Sequence, residues 1–295
     1  MIVSGDVGMA GVLAMFLVAV AGGFLDAIAG GGGLLTLPAL LLAGLDPVAA
    51  IATNKCQAVA ASVSAGVSFS RRGLIAWRTL MPAAAAAAAA SVAGAASVSL
   101  LPAGVLDWGV PLLLIGVALY FAFGPRIHAD GGKARLSAPA FALLVAPALG
   151  FYDGVFGPGV GAFYMVALVL LSGCALLQAI AHTKALNAAS NLGALAAFAI
   201  QGAIVWPVAL AMIAGAGLGA QCGAACAMRI SPRAIRALLV CMCCAMALRL
   251  LSAPDNPLRY WCTHTLLAPQ TAALHRPVRF HGNSPAFNKL FIYGR

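Results

Sequence analysis

A chain of 295 residues with 63% hydrophobic and 8% charged residues, at a mean hydropathy of +1.00, is too poor in charge for a soluble domain of its length, where about a quarter of residues are charged. Its net charge of +10 comes from short loops and from the stretch 253–295, with no basic helix and no aromatic stacking platform, so nucleic-acid binding is not its meaning. There is no Glu; the acids are Asp6, Asp26, Asp46, Asp107, Asp130, Asp153 and Asp255.

Apolar segments recur at about 8–29, 33–44, 47–70, 77–101 and 107–124, then at 139–156, 160–173, 175–200, 203–228 and 234–252. They predict an all-α, polytopic transmembrane helical bundle. Met1 to Gly8 carries no Lys or Arg ahead of the first apolar run, and no clear small-residue cleavage pattern follows. That run reads as a retained span, not a signal peptide. The first breaks fall at Gly30, Gly31, Gly32 and Gly33, at Gly44 to Pro47, at Arg71-Arg72-Gly73 and at Leu101 to Gly104. A polar run from Gly124 to Ser137 divides the chain, and the second half breaks at Gly157-Pro158-Gly159, near Gly173, at Gln201-Gly202 and at Arg229 to Arg236. Segments 33–44 and 160–173 are short for a core of about 30 Å at about 1.5 Å per residue, so they read as half-helices or re-entrant pieces.

The halves repeat. Gly44, Lys55, Phe69, Gly73, Trp77 and Gly94 match Gly173, Lys184, Phe198, Gly202, Trp206 and Gly223, all at an offset of 129 (184 less 55, 206 less 77). Upstream, Gly23-Phe24-x-Asp26-x3-Gly30 matches Gly150-Phe151-x-Asp153-x3-Gly157 at an offset of 127. The positive charges do not repeat. Arg71-Arg72 correspond to the uncharged Ile200-Gln201, while uncharged Leu101 to Gly104 correspond to a corner flanked by Arg229, Arg233 and Arg236. Positive loops face the cytoplasm, so the two repeats are expected upside down relative to each other. The expected organisation is a first transmembrane repeat over 1–124, a basic cytoplasmic linker over 125–138 (Arg126, Lys133, Arg135), a second repeat over 139–252, and an atypical polar, loosely ordered tail over 253–295.

Within these greasy segments a few residues could carry chemistry. Asp26 and Asp153 precede the glycine breaks; an intramembrane Asp costs several kcal/mol unless paired, protonated or solvated. Each reads either as a cap on an interrupted helix or as a proton or cation site. Lys55 and Lys184 read either as partners of those carboxylates or as anion ligands. Thr53-Asn54-Lys55 and His182-Thr183-Lys184 are expected to form the first turn of a helix after a break, where amides and dipole favour an anion. Lys184, Asn187 and Asn191 share one helix face, matched by Lys55, Ala58 and Ser62. His182 is a proton relay or a satisfied polar residue. Seven of the eight Cys (56, 174, 222, 226, 241, 243, 244 and 262) lie in apolar segments without His or acid at ligand spacing, so they read as packing residues and no metal or cofactor is implied. Gly30 to Gly33 lack a G-K-[ST] ending, and neither a Ser–His–Asp set nor H-E-x-x-H is evident, so the chain does not read as an enzyme or an ATP-driven pump. Gly215, Gly217, Gly219 and Gly223 predict close helix packing, within or between protomers; a homo-oligomer stays open.

The motifs G-F-L-D-A-I-A-G-G-G-G-L-L-T-L-P-A-L and A-T-N-K, then G-F-Y-D-G-V-F-G-P-G-V-G and A-H-T-K-A-L-N-A-A-S-N-L-G-A-L, resemble the sulfite exporter TauE/SafE family, also called the toluene sulfonate uptake permease family, over roughly residues 8–252. The resemblance implies a multipass transporter of the bacterial inner membrane for sulfite, organosulfonates or related small anions. Its motifs fall on Asp26, Gly30 to Gly33, Pro38, Thr53, Asn54, Lys55, Asp153, Gly157, Pro158, Gly159, His182, Thr183, Lys184, Asn187 and Asn191. The tail departs from the pattern, since relatives end soon after the match to Ala247 to Leu251. The expected function is secondary transport of a small oxyanion. Lys55, Lys184, Thr53, Asn54, Thr183, His182, Asn187 and Asn191 would bind it, and Asp26 and Asp153 would couple a proton or cation. An uncoupled anion channel, a metal or other small-solute transporter and a membrane scaffold are the alternatives. Its partners would be the lipid bilayer, the anion and the coupling ion. Reporter fusions check the topology: one in the linker should read cytoplasmic and one at the C-terminus external, whereas a cytoplasmic C-terminus would refute the inverted arrangement.

Overall fold

The computed structural model describes residues 8–98, 100, 132–227, 229 and 237, all within a compact unit, Met1–Ala253. Regular structure among them is helical throughout. Helix α1 spans Met9–Ala29, α2 Gly32–Leu42, α3 Pro47–Arg71 and α4 Trp77–Val98. Past the linker, α5 spans Ala138–Val155, α6 Val160–Leu170, α7 Leu176–Ile200 and α8 Trp206–Ala227. The expected segment 107–124, nearly all of 234–252, the first half of the linker (125–131), the Cys241 to Cys244 cluster and the tail 253–295 lie outside the described residues.

Local chemistry explains the boundaries. Asp46 caps α3, its Oδ1 accepting from the Val48 and Ala49 amides at 3.0 and 3.2 Å, and Pro47 takes the first helical position, where no N–H is needed. Ser137 caps α5, and Pro139 follows at its start. The next turn of α5, Phe141–Val145, is wound as a π-helix. Pro147 lies just beyond; it has no N–H to donate and its ring crowds the carbonyl four residues back, which the wider turn relieves. Gly30, Gly157 and Gly159 at φ +72, +90 and +80 end or begin helices in the left-handed region.

The helices recur as twins. α2 and α6 each have 11 residues, α3 and α7 each 25, and α4 and α8 each 22. At 1.5 Å per residue α2 and α6 are about 16 Å long, roughly half of a ~30 Å hydrocarbon core. Among the described residues α1, α4, α5 and α8 are long and apolar enough to cross a membrane. α3 and α7 have the length but carry the buried polar residues.

Packing joins the halves to each other. α1 lies chiefly on α8, and α4 lies on α5 and α7. α3 packs on α8 and α7. α3 and α7 run antiparallel where they touch, Ser62 meeting Asn187 and Gly66 meeting Lys184. On α8, Gly215, Gly219 and Gly223 form a row at helical spacing against the carbonyls of Phe16, Val20 and Phe24 of α1. The glycine-rich stretch therefore packs within one chain. At Gly219 a β-carbon would overlap the Val20 carbonyl, whereas at Gly217 it would meet nothing within 4 Å. Gly219→Ala should lower stability by about 1–3 kcal/mol through overpacking, with Gly217→Ala near wild type. Thermal unfolding of the two variants in detergent checks this; equal melting temperatures would show that the α1–α8 contact tolerates a methyl.

Candidate functional site

Two broken helices meet. α1 ends at Ala29, capped by Gly30, and α2 restarts at Gly32; α5 ends at Val155 and α6 restarts at Val160. Gly30 lies against Gly161, and Gly33 lies against Pro158, so four helix ends converge. A break inside an apolar region leaves carbonyls and amides without intrahelical partners, and something must satisfy them.

The lysines do so, each across the repeat boundary. Lys55 of α3 donates from Nζ to the Asp153 carbonyl and to Asp153 Oδ1, the latter at 2.6 Å. Lys184 of α7 donates to the Asp26 carbonyl and, at 3.1 Å, to Asp26 Oδ2. Both lysine side chains have 0% exposure, against 1% for Asp153 and 6% for Asp26. Each ammonium thus sits at the negative end of a broken helix and beside a carboxylate, two effects that favour it together. Gly157 makes room: a β-carbon there would lie 2.5 Å from Lys55 Nζ. Ser190 Oγ donates to the other Asp153 oxygen. The hydrogen bonds to both carboxylates come from side chains, not from the exposed amides that a helix cap would bond.

Polar contacts extend from this centre. In the first half Thr36 Oγ1 donates to Asn54 Oδ1 at 2.5 Å, and Gln57 Nε2 donates to Thr36 Oγ1 and Asn54 Oδ1, both at 3.0 Å. In the second half Asn187 Nδ2 donates to Ser62 Oγ at 3.1 Å, and Asn191 Nδ2 donates to the carbonyl and Oδ1 of Asn187, both at 2.8 Å. Thr183 is buried with Oγ1 unpartnered among the described residues. Thr53 and His182 do matching work at the periphery. Thr53 Oγ1 accepts from the Val205 amide at 3.1 Å, before α8, and His182 Nε2 accepts from the Ala76 amide at 3.2 Å, before α4.

One expectation is corrected. Thr53-Asn54-Lys55 and His182-Thr183-Lys184 are not first turns. α3 begins at Pro47 and α7 at Leu176, so both triplets lie in helix interiors, and the helix-start amides are not beside the ammonium groups. The signal was present: Asp46-Pro47 is a cap followed by an N1 proline. Thr36, Gln57 and Ser190 were missed as members of the network; Gln57 follows Asn54 by three residues, a helix-face spacing that could have found it. Cys56 is buried, Cys222 and Cys226 are exposed, and no group of three or more potential metal ligands occurs among the described residues.

A family model described as Sulfite exporter TauE/SafE matches residues 15–250. The chain is 44% identical over 250 residues to a Sinorhizobium sp protein named Probable membrane transporter protein ORF9, covering 85% of this chain and 96% of the relative. It is 40% identical over 237 residues to Probable membrane transporter protein YfcA of Escherichia coli strain K12, covering 80% and 88%. A Haemophilus influenzae protein named Probable membrane transporter protein is 39% identical over 237 residues, covering 80% and 93%. No solved structure matches the chain.

The buried pairs make a stability prediction. Lys55→Met strands a carboxylate in an apolar setting and should cost about 3–5 kcal/mol. Adding Asp153→Asn should recover a large part of that loss, because the uncompensated charge is gone. Unfolding of the single and double variants in detergent gives the coupling; a double variant that is merely the sum of two singles would show that the pair is not coupled.

Proposed function

The chain belongs to the sulfite exporter TauE/SafE family and is a multi-pass membrane transporter, and on that premise we propose that it carries a small oxyanion, sulfite or a short organosulfonate, across the bacterial inner membrane by secondary transport coupled to a proton or cation. The observation that carries this reading is the crossed pair of buried ion pairs, Lys55 with Asp153 and Lys184 with Asp26, at the meeting point of the two helix breaks.

Coupling follows from charge balance. With its carboxylate ionised, each pair is neutral and the ammonium is engaged. A proton on Asp153 would release Lys55 to an incoming anion, and the site would again be neutral. The low-dielectric interior penalises any uncompensated charge, so anion and proton enter and leave together. Asn187, Asn191, Asn54 and Thr183 would orient the oxyanion, the amides of the α2 and α6 starts lie by the breaks to receive it, and Asp26 would repeat the exchange at Lys184. Inverted insertion of the two repeats is supported by the antiparallel course of α3 and α7 and by the unequal placement of arginines. Rocking of one repeat against the other would then alternate access.

Flux in proteoliposomes tests this. With sulfite, sulfate, taurine, sulfoacetate and a carboxylate loaded separately under a pH gradient, sulfite or a sulfonate should move, faster as pH falls on the side of loading. Lys184→Ala should abolish flux without loss of insertion, and Asp153→Asn should leave any residual flux insensitive to the gradient. Normal flux in Lys184→Ala would refute the anion-ligand role. Current that follows the anion gradient alone, with no counted proton, would make the protein a channel.

A further inference from the structure

Apart from the crossed ion pairs, a cavity of about 430 Å³ lies among α4, α5, α6 and α7 and the linker residues before α5. Its inner wall includes the buried Leu80, Phe141, Leu168 and His182, and its rim includes the exposed Thr79 and Gln178. From this cavity we infer a second anion site, a vestibule that receives the oxyanion before it reaches the lysines. The inference rests on the reading of the chain as an anion transporter.

Three helices begin on this cavity: α4 near Ala76 and Thr79, α5 at Ser137 and Ala138, and α7 near Cys174 and Gln178. Their positive ends converge on one space whose lining contains no carboxylate. The one helix that ends there, α6, is neutralised by the linker: the amides of Arg135 and Leu136 donate to the Leu171 carbonyl at 2.8 and 2.9 Å, and the Gly132 amide donates to the Gly173 carbonyl at 3.2 Å. Arg78, Lys133 and Arg135 are exposed and adjoin lining residues in sequence, adding positive charge at the mouth.

Two further observations point to a missing ligand. His182 is 7% exposed and accepts from the Ala76 amide through Nε2, so its proton lies on Nδ1, a donor on the cavity wall with no protein partner among the described residues. And the start of α7 is uncapped. Asp46, which caps α3, corresponds to Ala175 in the second repeat, with an extended backbone (φ −60, ψ 148) suited to a cap but no side chain to supply one. An exogenous oxyanion placed there would accept from the first-turn amides of α7, taking the role that a carboxylate has in the other repeat, and His182 Nδ1 offers a further donor deeper on the same cavity wall. The basic residues around the mouth place the vestibule on the cytoplasmic side.

Ala175→Asp supplies the missing carboxylate from the protein itself. Equilibrium binding of radiolabelled sulfite to detergent-purified protein, beside the flux assay, tests the site. Lys184→Ala, which removes a ligand of the central site, should keep one class of sulfite site. Adding Ala175→Asp to it should weaken that binding at least tenfold, while size-exclusion behaviour is unchanged and the melting temperature is equal or higher, since a cap has been added. Ala175→Asn, a neutral cap, should weaken it less. Unchanged sulfite affinity when Ala175→Asp is added to Lys184→Ala, or loss of all binding in Lys184→Ala alone, would overturn the vestibule while leaving the transporter reading intact. Undiminished flux in Lys184→Ala would instead strike the reading of the central site. No saturable binding and no flux for any oxyanion would remove both.

Discussion

Two ammonium groups with no exposed surface, in a chain that lipid surrounds, are the constraint around which this molecule is built. An ammonium removed from water is tolerable only with a carboxylate beside it and oxygen atoms around it. Those oxygens come from helices that stop short, because an unbroken helix spends its carbonyls on its own amides. The breaks at Gly30 and Gly157 are therefore not defects. The break after Val155 leaves the Asp153 carbonyl to Lys55, the Asp26 carbonyl takes Lys184 beside the Gly30 amide that caps α1, and the missing side chain at Gly157 leaves room for Lys55 Nζ. The same breaks make α2 and α6 short and bring the backbones of the two halves into contact.

Both buried ion pairs, and the two peripheral links from Thr53 and His182, join one half to the other. Lys55 answers Asp153, Lys184 answers Asp26, Thr53 holds the start of α8 and His182 the start of α4. The geometry of the exchange is repeated, but the chemistry has drifted. Ser190, which bonds Asp153, corresponds to Ala61. Asn54 and Gln57 correspond to Thr183 and Leu186, so the hydrogen-bonded trio with Thr36 belongs to one half alone. A carrier whose two faces must differ in affinity has a use for such drift, since perfect symmetry would make both faces alike.

Much of this was legible in the chain itself. Helix positions followed from apolar runs bounded by Gly, Pro and Arg, and the twin lengths of α2 and α6, α3 and α7, and α4 and α8 follow from the matched registers that end at Gly44 and Gly173 or begin at Trp77 and Trp206. Asp26, Asp153, Lys55 and Lys184 stood out because charge is scarce. What could not be read was who pairs with whom: Lys55 has one Asp before a glycine break in its own half, Asp26, and one in the other, Asp153, and spacing along a chain does not report distance across a bundle. Lys55 differs from the expected first-turn position because the cap and N1 proline at Asp46-Pro47 start α3 about two turns before Thr53-Asn54-Lys55. The vestibule was invisible for a different reason. Its signature is an alanine where a cap belongs, and an absent side chain carries no pattern.

The crossed pairs also impose a schedule. Lys55 and Asp153 are separated by 98 residues, and Asp26 and Lys184 by 158. At a synthesis rate of about 5–20 residues per second, the first lysine waits about 5–20 s, and the first aspartate about 8–30 s, before its partner leaves the ribosome. During that interval the first half holds an unmatched cation and an unmatched carboxylate with no native counter-charge from the second. Until the second half arrives the nascent half must pair Asp26 with Lys55 or keep both beside water, and birth in the membrane becomes a two-body assembly carried out on a single polypeptide.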